Sequence, residues 1–272
     1  MFFTLALRHG FGPPSVVLPV CLSLAIPSMS FSVAAFAGPP FAVDDPGTVT
    51  PGQATWLNGS QIVTADHVDL SALSSTFTAG FSRDQEVGIT LGGYRLEVPE
   101  GRLVVGDTYL NFKKRFQNES AGRMAVAFAY QIRLPTGNTE VGSGTPGVDQ
   151  TLYLTAGKIL GGSASAPDLF GNIGYTYSAG GCENSGTYFY GAGLSFPLSH
   201  RLQAGMDITG SQGRPSFSPY ETLGTGLCAA YNLDTCNVVV TRAAYGWRGE
   251  SQGFSLFIGW QINITLGREG RP

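Results

Sequence analysis

The sequence predicts an all-β fold, a transmembrane antiparallel up-and-down β-barrel of about 12 strands, and three observations carry that expectation. From Phe254 to Leu266 apolar residues recur at every second position: Phe254, Leu256, Ile258, Trp260, Ile262, Ile264 and Leu266, with Ser255, Gln261, Asn263 and Thr265 on the other face. Period two is the mark of a strand with one oily side, and soluble strands usually stop after about 5–6 residues. At roughly 3.3 Å per residue this one reaches about 43 Å; tilted by about 45° it covers about 30 Å along a barrel axis, the height of a membrane's apolar band. Second, only 13% of the residues are charged, about half the roughly 25% usual for soluble domains. There are 38 glycines and 11% aromatics, yet no window approaches the roughly 18 consecutive apolar residues of a membrane-spanning helix. Third, strand-like segments follow one another with no helical period among them.

Taken in order, residues 1–37 read as an export signal. Arg8 and His9 precede an apolar stretch from Val16 to Ile26, and Ala35-Phe36-Ala37 before Gly38 has the small-x-small form of a cleavage site. Residues 38–53 are rich in Pro and Gly, neither helix nor strand, and are expected as an extended leader in the periplasm. Between 54 and 266 the strand-like segments lie near 54–64, 69–81, 86–97, 107–116, 123–134, 150–160, 169–177, 187–196, 202–210, 225–232, 237–247 and 254–266. An even count keeps both termini on the periplasmic side. With the first strand rising from the periplasm, outer loops fall at 135–149, 178–186, 211–224 and 248–253, and inner turns at 82–85, 117–122, 161–168, 197–201 and 233–236. Pro135 and Pro197 sit just past strand ends, where a missing N–H leaves no ladder bond unmade. Residues 267–272 form a short tail.

The two faces of these segments assign the candidate site. In 123–134, Met124, Val126, Phe128, Tyr130, Ile132 and Leu134 form one face, and Ala125, Ala127, Ala129, Gln131 and Arg133 the other; in 202–210, Leu202, Ala204, Met206 and Ile208 oppose Gln203, Gly205, Asp207 and Thr209. A Lys or Arg on the lipid face near the midplane costs roughly 2–4 kcal/mol. Asp107, Asn111, Lys113, Arg133, Asp207 and Arg242 are therefore expected inside, with Asp107, Lys113, Arg133, Asp207 and Arg242 as pore-lining residues. Facing charges of opposite sign set a transverse field that selects solutes; paired polar side chains also fill the interiors of small, non-conducting barrels. Tyr175, Tyr177, Tyr188, Tyr190, Tyr245, Trp247 and Trp260 cluster near strand ends, as interfacial aromatic girdles do.

Other chemistry is sparse. Outside the signal stand Cys182, Cys228 and Cys236. Cys228 and Cys236 flank the turn-like Asn232-Leu233-Asp234, close enough in sequence for a hairpin disulfide in an oxidising compartment, and equally readable as unpaired small hydrophobes. No Cys-x-x-Cys or Cys/His cluster has metal-ligand spacing, and no cofactor is expected. Gly142-Ser143-Gly144-Thr145-Pro146-Gly147 matches Gly-x-Gly-x-x-Gly formally, but it precedes a strand and not a helix and reads as an outer loop. His67, with Ser60 and Ser71 nearby, is the only hint of a rim Ser–His hydrolase, but no Gly-x-Ser-x-Gly or comparable spacing supports it, and a solvated rim histidine is the favoured reading. The net charge of −3 and pI near 5.6 argue against nucleic acid.

Several stretches resemble one family. The leader Pro39-Pro40-Phe41-Ala42-Val43-Asp44-Asp45-Pro46 is similar to the Pro-Pro-Phe-x-x-Asp-Asp-Pro opening of the outer-membrane proteins grouped as "putative MetA-pathway of phenol degradation". Gly106-Asp107-Thr108-Tyr109-Leu110, Arg133-Leu134-Pro135-Thr136-Gly137-Asn138, Val141-Gly142-Ser143-Gly144-Thr145 and Leu169-Phe170-Gly171-Asn172-Ile173-Gly174-Tyr175 follow in that family's order, covering 38–266. The chain departs from many barrels in ending Arg268-Glu269-Gly270-Arg271-Pro272, without a terminal aromatic. The resemblance implies a barrel of the twelve-strand class in the bacterial outer membrane and a role in solute passage linked to aromatic-compound catabolism. The expected function is thus a passive channel for small, including aromatic, solutes and not an enzyme. The alternatives are a structural or adhesive envelope barrel and, third, the rim hydrolase. The expected partners are outer-membrane lipid and lipopolysaccharide, the outer-membrane assembly machinery and small solutes, with no nucleic acid.

Overall fold

Twelve strands, each hydrogen-bonded to the next in sequence, close when the first pairs with the last. They are β1 Gln53–Ala65, β2 Val68–Ser82, β3 Gln85–Leu96, β4 Arg102–Gln117, β5 Ala125–Leu134, β6 Val148–Ile159, β7 Asp168–Ala179, β8 Ser185–Pro197, β9 Leu202–Gly213, β10 Tyr220–Asn232, β11 Asn237–Arg248 and β12 Gly253–Thr265. The computed structural model describes residues 41–65, 68–96, 102–120, 123–139, 144–161, 166–179, 185–213, 220–248 and 253–266. Closure is in register along the whole seam, from Gln53 opposite Thr265 to Thr64 opposite Phe254, so no edge strand is left to pair with another chain. The strand period decides which residues meet lipid. Leu73, Phe77, Ile89, Leu91, Leu110, Leu152, Leu154, Ile173, Met206, Ile208, Ile258 and Trp260 are all exposed on the outer face, a continuous apolar belt that only a bilayer covers.

Several observed strands run longer than the alternation alone suggested, while β5 starts two residues later, at Ala125. β4 starts at Arg102 and β10 at Tyr220, five residues upstream of the expected starts in each case. The extra residues, 102–106 and 220–224, do not keep a clean polar/apolar alternation, and pairing with β3 and β9 holds them extended. Register shifts fall at Gly80/Ser82, Leu91/Gly93, Arg115/Gln117 and Leu223/Gly224, three of the four at a glycine, where a bulge accommodates the extra residue and adds local twist.

Polar residues in the belt bond laterally. The Trp56 indole N–H donates to Ser75 Oγ at 2.8 Å, and Ser75 Oγ donates to Asn58 Oδ1 at 2.9 Å, as a hydrocarbon surrounding demands. Exposed aromatics gather toward both ends of the barrel: Trp56, Phe81, Phe116 and Tyr231 lie near the end where β1 begins. Tyr175, Tyr177, Tyr188, Tyr190, Tyr245 and Trp247 are exposed near the outer ends of β7, β8 and β11, with the rings of Tyr175 and Tyr188 4.8 Å apart. Trp260 lies in the periplasmic half of β12.

Candidate functional site

The interior follows from the same alternation. Ala125, Ala127, Ala129, Gln131 and Arg133 of β5 are all buried, and the same parity buries Asp107 and Lys113 on β4 and Asp207 on β9. Hydroxyl and amide ladders join neighbouring strands across this inner surface: Thr76 with Thr90 at 3.0 Å, Gln131 Nε2 to Asn111 Oδ1 at 2.7 Å, and Thr151 with Thr176 at 2.9 Å.

What the strand pattern does not foretell is that the leader lies inside. The reading of 38–53 as a periplasmic segment is corrected for its described part: Phe41, Val43, Asp44 and Val49 are each buried within the barrel. At Gly52, φ is +76°, a left-handed conformation that glycine adopts without strain; it reverses the chain between leader and β1. The Gly52 N–H donates to Gly80 C=O at 3.3 Å, and Leu266 N–H donates to Gly52 C=O at 2.7 Å, tying the turn to both neighbouring strands. From there the leader crosses the lumen from Lys113 of β4 to Asp207 of β9. A row of inward glycines on the wall makes room for it. A Cβ at Gly80 would meet the Val49 carbonyl, at Gly157 the Pro46 ring, at Gly191 a Val43 methyl and at Gly205 the Phe41 ring. Four strands thus give up side-chain volume where four successive parts of the leader pass.

Polar anchors fix it. Lys113 Nζ donates to Asp44 Oδ1 at 2.8 Å and to the carbonyls of Asp45 and Gly47 at 3.1 Å each, with Glu86 Oε1 at 3.7 Å. Asp44 also accepts the Tyr153 hydroxyl at 3.0 Å, and its carbonyl accepts Thr155 Oγ1 at 2.7 Å. Glu86 Oε2 accepts the Val49 N–H at 2.6 Å. One ammonium therefore serves two buried carboxyl groups. Burial raises the Asp44 carboxyl from its ordinary 3.8 to about 7, against the lowering pull of Lys113 and with a further push from Asp45 and Glu86.

A second anchor lies across the lumen. Arg242 grips Asp207 with two bonds, Nε to Oδ2 at 2.9 Å and Nη2 to Oδ1 at 2.7 Å, and Asp207 Oδ2 also accepts the Ala42 N–H at 2.9 Å. Phe41 itself packs edge-on against Phe170, centroids 4.8 Å apart at 69°, in a cluster with Val43 and Cys228. Leu57, Ala230, Val238 and Val240, with Phe257 against them, extend an apolar inner wall over β10–β12 and β1. Arg242→Ala leaves the fully covered Asp207 carboxylate without its cation. Removing one partner of such a buried pair costs about 3–5 kcal/mol, so the variant barrel is expected to lose its heat-modifiable gel migration at markedly lower urea than wild type.

At the opposite end of the lumen the β5–β6 loop is tied to the inner wall. Asp107 sits at the level where β5 ends and accepts the Gly137 N–H at 2.9 Å, the Thr145 N–H at 3.1 Å and Thr145 Oγ1 at 2.9 Å, drawing both arms of the β5–β6 loop to the lumen wall. Arg133 Nη2 pairs with Asp149 Oδ2 at 2.6 Å, and its Nε lies 3.7 Å from Asp107.

All five residues expected in the lumen are there, but they work in two groups: Lys113, Asp207 and Arg242 hold the leader, and Asp107 and Arg133 hold the loop collar. Asp44, Glu86, Tyr153, Thr155 and Asp149 belong to the same networks and escape a strand-by-strand reading. Asp44 looked like leader, and Glu86 and Asp149 stand at strand ends. The Phe-x-x-Asp-Asp-Pro run was the available signal. The disulfide expectation is corrected: Cys228 and Cys236 are free thiols. Cys228 points into the lumen and donates to Asp207 Oδ2 at 3.6 Å, while Cys236 is exposed in the β10–β11 turn, so the strand between them keeps the sulfurs apart. His67 and the run 140–143 lie outside the described residues. Ser60 is exposed on the outer face, away from the lumen.

No protein-family model matches the chain, and no curated protein matches it in sequence. Solved structures do resemble it. The COG4313 outer membrane channel from Pseudomonas putida F1 superposes with a TM-score of 0.66 at 11% identity, over 81% of this chain and 98% of that one. The NanC porin gives 0.59 at 8% identity over 78% and 100%, and the KdgM porin 0.55 at 7% over 76% and 98%. The chain has the fold of outer-membrane channel barrels, with its lumen crossed by its own leader.

Proposed function

We propose that this chain is a passive channel of the bacterial outer membrane, not an enzyme, whose path is the lumen and whose resting state is closed by residues 41–49. The observation that carries the reading is the way the lumen is filled. A barrel with a purely structural role fills its interior with its own strand side chains; here the wall is hollowed by glycines and the filling is a separate segment, joined to β1 through the turn at Gly52 and held by non-covalent contacts. The likeness in fold to channels and porins supports the same reading. Its surroundings would be outer-membrane lipid and lipopolysaccharide around the apolar belt, reached through the outer-membrane assembly machinery. The family resemblance of the leader and loop motifs, together with the apolar inner wall of Leu57, Val240 and Phe257, favours small aromatic solutes. A structural or adhesive barrel remains the second reading, and it requires no current through the lumen in any leader variant.

The Asp44 carboxyl supplies a test with a definite sign. Docked, it titrates near 7; withdrawn into water, it returns toward 3.8. The docked state binds the proton more tightly, so docking is strongest below about pH 4 and weakens as the pH rises through about 7. Conductance of the wild-type chain in planar bilayers is therefore expected to be greater at pH 8.5 than at pH 5.5. Asp44→Asn, which keeps an acceptor for Lys113 and Tyr153 but does not ionise, is expected to stay closed at both. Equal wild-type currents at the two pH values would remove the leader from the gate.

A further inference from the structure

The leader displays, in one peptide, the chemistry that its seat accepts. Phe41 fills a ring pocket against Phe170 and Cys228, and the Asp44 carboxyl receives Lys113 Nζ and the Tyr153 hydroxyl. Two residues, Ala42 and Val43, lie between them, so their Cα atoms are no more than about 11 Å apart. When the leader leaves, Tyr153 OH loses its bond to Asp44 Oδ2, Thr155 Oγ1 its bond to the Asp44 carbonyl and the Phe170 ring its edge contact with Phe41, while Lys113 retains Glu86 at 3.7 Å. Unmade contacts of this kind in a shielded lumen favour any solute that restores them.

We propose that the vacated seat is a solute-binding site for molecules that carry one carboxyl group and one aromatic ring, and that such solutes compete with the leader. This rests on the channel reading, because a solute reaches the seat only through the lumen. The recognition is two-point. The ring replaces Phe41 against Phe170, and the carboxyl replaces that of Asp44 between Lys113 and Tyr153. Glu86 beside Lys113 restricts the seat to a single carboxyl group and disfavours dicarboxylates. Competition makes the solute its own key: occupancy of the seat holds the leader out.

The test uses 4-phenylbutyrate, with 4-phenylbutanol and butyrate as one-point probes, on the full chain in detergent at pH 6.5, followed by titration calorimetry. Phe41→Asp/Val43→Asp changes only the occupant and leaves every wall residue native. This variant is expected to bind 4-phenylbutyrate about tenfold more tightly than wild type does, and about tenfold more tightly than it binds either one-point probe. Adding Lys113→Met is expected to abolish the preference for the acid over the alcohol; heat-modifiable migration confirms that each variant is folded. Equal affinity for acid and alcohol, or no gain over wild type, overturns the assignment. The same proteins in planar bilayers separate the two ideas. A variant that conducts but does not bind sinks the solute site and leaves the channel standing, whereas one that binds without conducting sinks the channel and keeps the site.

Discussion

Phe41→Asp/Val43→Asp is expected to open the barrel, raising single-channel conductance at pH 7 by at least about fivefold over wild type. Both side chains are almost fully buried in an apolar cluster with Phe170 and Cys228. A carboxylate placed there has no cation of its own, since Arg242 is already committed to Asp207 through two bonds. Burying an unpaired charge costs several kcal/mol, and a docked segment held by a few such contacts passes from mostly bound to mostly withdrawn over that range. The wall keeps its ladder and its seam, so the variant should still migrate as a folded barrel. Cys228 reports the same event. It is buried under Phe41 in the closed state, and with Cys182→Ser and Cys236→Ser as background it should react with a maleimide faster once the leader is out. A variant that remains folded and labels rapidly, yet carries no more current than wild type, would show that the leader does not govern the path.

Asp107→Ala is expected to have an effect that depends on the leader, because a solute path through the lumen would pass the leader and the loop held by Asp107 in series. Asp107 takes three hydrogen bonds from Gly137 and Thr145 and is what draws the β5–β6 loop to the wall. Resistances in series add, and the larger one dominates. In the closed barrel the leader is the larger, so Asp107→Ala alone should change conductance by less than about twofold. In the Phe41→Asp/Val43→Asp background the collar becomes limiting, and the same substitution should raise conductance by about threefold or more; non-additivity of this kind marks coupled sites. Ion preference should move with it, because Arg133 and Asp149 stay behind at 2.6 Å while the negative partner at 3.7 Å is gone. Additive effects in the two backgrounds would mean the loop and leader do not share one path.

The barrel wall is legible in the residues because its information is local. Alternation at period two in 123–134 and 202–210 tells which side chains meet lipid, and the high cost of charge in hydrocarbon turns Arg133, Asp207 and Arg242 inward without any knowledge of neighbours. Strand order follows as well, since each strand pairs with the next and the connections are short. The chain's amino acids alone therefore specify the closed cylinder, its apolar belt and the five inward charges. Their partners are another matter. Lys113 meets Asp44 from 69 residues away, Tyr153 meets the same carboxyl from 109, and Asp207 receives the Ala42 N–H from 165. No periodicity links positions that far apart, and a Pro/Gly-rich leader has none to read. Only closure of the cylinder brings Gly80, Gly157, Gly191 and Gly205 onto one track and places a conflicted pair of carboxyl groups around one ammonium, and that three-dimensional coincidence decides that the pore is filled.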